Sequence, residues 1–191
     1  MKFLWSMVVS TALLTAACAS VDESQIVSTG ERYDAAYAAQ PYRLGSGDVL
    51  RVKVYGDANI SDLYTIGADG AIDLPLIGKV NAAARTVDEI GKEAAARYSE
   101  GYLRAPYVNV QVSKYRPIYV LGEVEKPGQY DFVPGMTAQS AIATASGFSP
   151  RANKRVLFIK GEDTNSEQAF EVAPALQVRP GDTIRVGERY F

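Results

Sequence analysis

Cysteine occurs once in these 191 residues, at Cys18, and histidine does not occur at all. A lone thiol can serve as a nucleophile, a metal ligand or an acylation site, and its neighbours decide which. Without an imidazole the commonest general base is missing, and the Ser-His and Cys-His nucleophile arrangements and the usual zinc sites are excluded. Carboxylates remain. Asp69 and Asp73 flank a turn four residues apart, a placement in which a carboxylate ordinarily accepts from local backbone amides. A glycan-cleaving enzyme would need two carboxyl groups held about 5 to 9.5 Å apart across a cleft, and no motif in the chain sets such a pair. No catalytic residue, cofactor or metal site is implied, and the chain does not read as an enzyme.

The surroundings of Cys18 give the thiol a different task. Lys2 supplies a positive start, Phe3 to Leu14 form an apolar run, and Thr15-Ala16-Ala17 lead with small residues into Cys18, the layout of a secretory signal. At about 15 residues the run is too short to span a bilayer as a mature helix. A Cys directly after two alanines resembles the lipobox of bacterial lipoproteins, in which the thiol is joined to diacylglycerol and becomes the first mature residue; Thr15 takes the place that motif usually gives to Leu. An ordinary signal cut nearby is the alternative, and it would leave Cys18 a free thiol in an oxidising periplasm. The two or three acyl chains of a lipoprotein anchor stably where one chain would not. Ala19, standing where an Asp would retain many lipoproteins in the inner membrane, points to the outer membrane.

Removal of residues 1–17 takes Lys2 with it and leaves 174 residues with 19 basic and 22 acidic side chains, a net charge of −3. Such a balance does not suggest a nucleic-acid partner. Residues 18–40 are small and polar without a sustained period, so after the lipidated Cys they read as a flexible tether. Fully extended, residues 19–40 reach at most about 75 Å.

From residue 41 the pattern changes. Leu50, Val52 and Val54 alternate with Arg51, Lys53 and Tyr55 after the turn Gly45-Ser46-Gly47-Asp48, which predicts a half-buried strand. Ala68-Asp69-Gly70 predicts a tight hairpin joining Tyr64-Thr65-Ile66 to Ala71-Ile72-Asp73-Leu74. Thr86-Val87-Asp88-Glu89 is a capping box opening an amphipathic helix of about 14 residues, with Val87, Ile90, Ala94 and Tyr98 on one face and a Glu93–Arg97 pair across one turn. Val108, Val110 and Val112 alternating with Asn109, Gln111 and Ser113 make the clearest strand. Beyond Pro117, a strand is expected over 118–124, and Lys126-Pro127-Gly128-Gln129 fits a type II turn with Gly128 at positive φ. A short helix over 138–145, capped by Thr137 and stopped by Gly147, and strands over 155–160, 169–172 and 183–186 complete the pattern. Gly47-Asp48-Val49-Leu50-Arg51-Val52 recurs as Gly181-Asp182-Thr183-Ile184-Arg185-Val186, a turn feeding a strand in both places. Two units of about 70 residues each bury only about 60% of their unfolded surface, so they must lean on each other or on neighbouring subunits.

These residues also carry a resemblance. Tyr42 to Leu50, Asp69-Gly70, Leu74-Pro75 with Ile77-Gly78, the Thr86 helix and the Tyr107 to Val112 strand are similar to the polysaccharide export domain of the Wza-like outer-membrane polysaccharide export lipoproteins. Val120 to Val124, Pro127 to Tyr130, Ala141 to Phe148 and Pro180 to Ile184 are similar to a soluble-ligand-binding β-grasp (SLBB) domain. The expected fold is α+β: two small β-grasp-like units with mixed sheets and one packed helix each, at 41–115 and 116–191, behind a signal peptide at 1–17 and a lipidated Cys with tether at 18–40. Ala84 and Ser146 stand where the family usually has Gly. The chain ends at Phe191, where long members continue into an amphipathic pore helix, so a short form using a separate outer-membrane β-barrel is expected. The resemblance implies a lipid-anchored homo-oligomeric ring at the periplasmic face of the outer membrane of a Gram-negative bacterium. Its cargo would be exopolysaccharide or capsule, passed from an inner-membrane co-polymerase to an outer-membrane exit. Asn109 and Gln111 are candidates to line the glycan path, or are simply solvent-facing. The alternative function is a lipid-anchored module that binds glycan or another soluble ligand without forming a conduit.

Overall fold

A computed structural model describes residues 41–55, 59–162 and 164–189. The signal sequence, Cys18 and the tether expected up to residue 40 lie outside the described residues. Strand β1 (Val49–Tyr55) is the centre of the first unit, flanked by β2 (Asp62–Thr65) and β5 (Tyr107–Lys114) in an antiparallel sheet of order β2-β1-β5. Its alternation does what period two requires: Leu50, Val52 and Val54 are buried while Arg51, Lys53 and Tyr55 are exposed. Helix α1 (Val87–Ser99) covers the inner face with Ile90, Gly91, Ala94 and Tyr98. Thr86 and Glu89 form the capping box reciprocally, the hydroxyl accepting from the Glu89 amide and the carboxylate from the Thr86 amide. The Tyr98 ring is fully buried and its hydroxyl donates to the Pro75 carbonyl at 3.0 Å, giving the polar tip of a core side chain the partner it needs.

The chain around Ala68-Asp69-Gly70 departs from the expected hairpin. Gly70 does take a positive φ of 75°, but the strands on either side enter different sheets. β2 pairs with β1, whereas β3 (Ala71–Leu74) pairs with β4 (Gly78–Asn81), which alternation did not disclose over four residues. The turn therefore swings the chain from one sheet to the other, and Gly70 O accepts from both Ala82 and Ala83 amides at 2.8 Å. Ile72, Leu74 and Val80 carry this second hairpin onto the same core.

The second unit has strands β6 (Ile118–Gly122), β7 (Gly128–Tyr130), β8 (Ala152–Lys160), β9 (Gln168–Glu171) and β10 (Thr183–Glu188), with helix α2 (Ala138–Thr144) between β7 and β8. The sheet order is β7-β6-β10-β8-β9, and its first and last strands in sequence, β6 and β10, run parallel at the centre. That is the β-grasp arrangement, and Ala138, Ala141 and Ile142 of α2 pack into its core. The protein is thus α+β in two small units, each with its own hydrophobic cluster and one packed helix. Parallel pairing is confined to the second sheet; the described ladders of the first unit are all antiparallel.

The expected type II turn at 126–129 is replaced. Gly128 does not take positive φ; it opens β7 opposite Val120. Pro127 cannot donate to a ladder, so pairing starts at the next residue. The left-handed residue is Gly122, at φ 81°, and a Cβ there would lie 2.1 Å from the Val186 carbonyl oxygen. It ends β6 two residues before the expected Val124.

Ala84 and Ser146, the two positions without the family's usual glycine, have φ of 60° and 69°. Both are left-handed, a conformation that costs a residue with a Cβ about 1–2 kcal/mol. The surroundings hold them there: the Ala84 amide donates to Leu44 O at 2.8 Å, and the Gly147 amide closes α2 onto Ile142 O at 2.9 Å. In a thermal denaturation series, Ala84→Gly and Ser146→Gly should each stabilise by about 0.5–1 kcal/mol, strain relief exceeding the added chain entropy. Gly122→Ala should destabilise by about 2 kcal/mol, and Gly128→Ala should do far less. Equal effects at 122 and 128 would contradict the assignment.

Glu93 sits between Arg85 and Arg97, the latter at 2.5 Å one helical turn away. The hydrogen bond from Arg85, followed by the charges of Arg85 and Arg97, holds its carboxyl below the usual 4.5. A carboxyl with a depressed folded-state pKa stabilises above its unfolded pKa, and that contribution is lost as pH falls through the folded value. The difference in unfolding free energy between wild type and Glu93→Gln should therefore shrink as pH falls from neutrality into the range below the usual 4.5. A constant difference across that range would show that the pair contributes nothing.

Candidate functional site

Period-two alternation gives β1 and β5 a second face, turned away from α1. The register places Arg51 opposite Gln111, Lys53 opposite Asn109 and Tyr55 opposite Tyr107. The two residues singled out in the sequence, Asn109 and Gln111, therefore lie on one face two residues apart, Asn109 half-buried and Gln111 exposed. Tyr107 continues the same face of β5, and the fold adds Arg51, Lys53, Tyr55 and Leu63, which that strand alone does not reveal as neighbours. Tyr55 is 55% and Tyr107 63% exposed, with ring centroids 5.1 Å apart and planes tilted by 54°. Lys53 Nζ stands 5.3 Å from the Tyr55 ring centroid, within range of a cation–π attraction. Exposed Leu63 on β2 faces Arg51 from the other side. At about 3.4 Å per residue, the three rungs from Arg51 to Tyr55 extend roughly 14 Å along the sheet.

Aromatic faces and amide groups suit sugar rings and hydroxyls, and the rungs hold no carboxylate pair. Gln111 also borders an open cleft of about 300 Å³ between the start of α1 and the free edge of β5, shared with Tyr42, Tyr115, Thr86 and Asp88. Asp69 is engaged elsewhere: Lys79 donates to it at 2.5 Å, and that hydrogen bond is the largest cause holding its carboxyl below the usual value. Asp73 lies opposite the same lysine across the hairpin. Among the described residues, no three His, Cys, Asp or Glu side chains gather to hold a metal ion.

What orients this face is the junction with the second unit. The repeated Gly-Asp turns adopt one geometry: Gly47 and Gly181 have φ of 90° and 85°, and Asp48 and Asp182 are 0% and 1% exposed. Each aspartate Oδ2 accepts from the amide three residues earlier, Gly45 at 2.9 Å and Arg179 at 2.7 Å. Arg116 runs between the two turns. Its backbone amide donates to Asp48 Oδ1 at 2.8 Å, its Nη1 lies 3.3 Å from Asp48 Oδ2, and its Nε lies 2.6 Å from Glu162 of the second unit. Tyr42 donates to Asp48 Oδ2 at 2.8 Å; burial first, then the charge of Asp48, pushes its phenol well above the ordinary value, so it remains a donor. Tyr42, Tyr115 and Phe132 continue across the junction edge to face, with centroids 5.0 and 5.5 Å apart. A Cβ on Gly45 would fall 2.0 Å from Arg116 Nη1, and one on Gly181 2.9 Å from its Nε. The sequence repeat signalled the turns, but nothing in it marked Arg116 as the residue that bonds the first and lies against the second.

The order of the two units matches known families. Residues 36–113 match the model for polysaccharide biosynthesis/export proteins, and residues 117–165 match the SLBB domain. The chain is 31% identical over 147 residues to the exopolysaccharide production protein ExoF of Rhizobium meliloti, an alignment covering 71% of this chain and 35% of that protein. It is 30% identical over 186 residues to the EPS I polysaccharide export outer membrane protein EpsA of Ralstonia nicotianae, covering 79% of this chain and 48% of that one. The EpsA of Ralstonia solanacearum is matched at the same identity over 49% of its length. The chain belongs to the Wza-like polysaccharide export family. It spans less than half the length of these curated relatives.

Asp48→Ala should lower stability by about 3 kcal/mol in urea denaturation, because it leaves the half-buried Arg116 and Gly45 amides and the Tyr42 hydroxyl without their acceptor. A loss below about 1 kcal/mol would mean that the carboxylate does not hold the junction.

Proposed function

We propose that the protein is a non-enzymatic component of an exopolysaccharide or capsule export system, held at the periplasmic face of the outer membrane by a lipid on Cys18. It forms a homo-oligomeric ring that gives the glycan an enclosed path from an inner-membrane co-polymerase to an outer-membrane exit, which a separate β-barrel supplies. The observation that carries this reading is the succession of an export domain and an SLBB domain in one chain. The junction at Arg116 supports it, since a conduit requires its two units to keep one orientation. The division proposed lies between residues 115 and 116. The names of the relatives, an exopolysaccharide production protein and export outer membrane proteins, point to the same cargo and membrane. Among the described residues no helix is long and apolar enough to cross a membrane. In this reading Asn109 and Gln111 line the path as weak hydrogen-bonding contacts along which a hydrated chain can slide.

A second reading, a lipid-anchored glycan-binding module without a conduit role, is favoured by the exposed Tyr55 and Tyr107 rings. Deletion discriminates between them. A strain lacking the protein should lose one surface or secreted polysaccharide, with restoration by the wild-type gene and weaker restoration by Cys18→Ala, whose product should leave the membrane fraction. Unchanged polysaccharide in the deletion strain would exclude the export role, and a monomer with measurable glycan affinity would support the module.

A further inference from the structure

We propose that the outer face of β1 and β5 binds anionic polysaccharide, its cations reading the acidic groups and its aromatic pair the sugar rings. The proposal rests on the export reading for the presence of a glycan, and it adds the charge class of that glycan. The carrying observation is the clustering of two cations on one face. Arg51 stands between Leu63 and Gln111 and Lys53 opposite Asn109, so neither has a carboxylate across the ladder, and on these adjacent rungs neither forms an ion pair among the described residues. Both side chains are exposed and open to a ligand. The chain as a whole carries a net charge of −2, and this face is positive against that background.

The rest of the face suits a polyanionic sugar better than the other polyanions. Gln111 and Asn109 stand opposite the two cations and offer amide donors and acceptors to hydroxyl groups beside a carboxylate. Tyr55 and Tyr107 end the row with exposed rings that can pack on the flat face of a pyranose. A row roughly 14 Å long is extended rather than pocketed, as a polymer that must keep moving requires. Exposed ion pairs are individually weak, about 0.2–1 kcal/mol, and lose strength with salt. Affinity is then spread over the row, and no single residue acts as a trap.

The test uses the full-length protein purified in a neutral detergent, with polygalacturonate as the anionic probe, dextran as the neutral one, and vesicles containing phosphatidylglycerol as a competing polyanionic surface. The proposal expects binding to polygalacturonate that weakens as salt is raised, little binding to dextran, and a loss of about fivefold in the Arg51→Gln, Lys53→Gln double variant at unchanged melting temperature. Tyr55→Ala with Tyr107→Ala should weaken polygalacturonate binding without changing its salt dependence. Equal binding of both polysaccharides, wild-type affinity in the double variant, or charge-dependent binding to vesicles alone would each overturn the proposal. Failure here is distinct from failure of the export reading. A deletion strain that loses its polysaccharide while the double variant binds like wild type would refute the charged face and leave export standing; normal export in that strain beside charge-dependent binding would do the reverse.

Discussion

Arg116 and the buried carboxylate of Asp48 are the contact through which the two units become one protein. A carboxylate with no solvent exposure is costly unless its oxygens are filled, and here four donors fill them: two backbone amides, a phenol and a guanidinium. Three of the four come from residues that the chain must bring together: Tyr42 precedes the first turn, and Arg116 lies sixty-eight residues beyond Asp48. Each unit by itself is small; Arg116, the first residue of the second, reaches Asp48 of the first while its Nε pairs with Glu162 of its own unit. Lys114 and Asp131, at 3.0 Å, add an exposed pair across the same boundary, one that contributes far less.

The face proposed to meet the glycan is separated from the elements that stabilise the fold. Leu50, Val52 and Val54 spend one side of β1 on the core, which leaves Arg51, Lys53 and Tyr55 free of structural duty on the other. Such a division lets the outer residues be chosen for a ligand at little cost to stability, because surface substitutions away from caps and buried networks act weakly. It also places the row on a sheet and not on loops, so its spacing is set by the ladder.

Several elements were legible because their signals are local. The capping box at Thr86 needs only four consecutive residues, and both of its hydrogen bonds form. Period two over Val49–Tyr55 and Tyr107–Lys114 gave each strand and its buried side. The β3–β4 hairpin was not legible, since four-residue strands carry too few repeats to establish a period and Leu76 occupies its tip at φ 70° without a glycine. Gly128 misled for a related reason. Pro-Gly is a turn signal, yet the ladder with Val120 claimed the glycine, while positive φ fell on Gly122, whose side is closed by a strand more than sixty residues away.

The amino-acid sequence by itself determined the helices, most strands, the repeated Gly-Asp turns and the family, because each rests on residues close together in the chain or on the order of motifs along it. It also marked Asn109 and Gln111 as polar positions on a strand. Only the tertiary structure decided what stands beside them. Pairing of β1 with β5 joins residues more than fifty positions apart into rungs, and that register follows from which faces the core buries. The role of Arg116 was decided in the same way: a guanidinium acquires partners from every element that folding packs around it, and no spacing in the chain encodes that set.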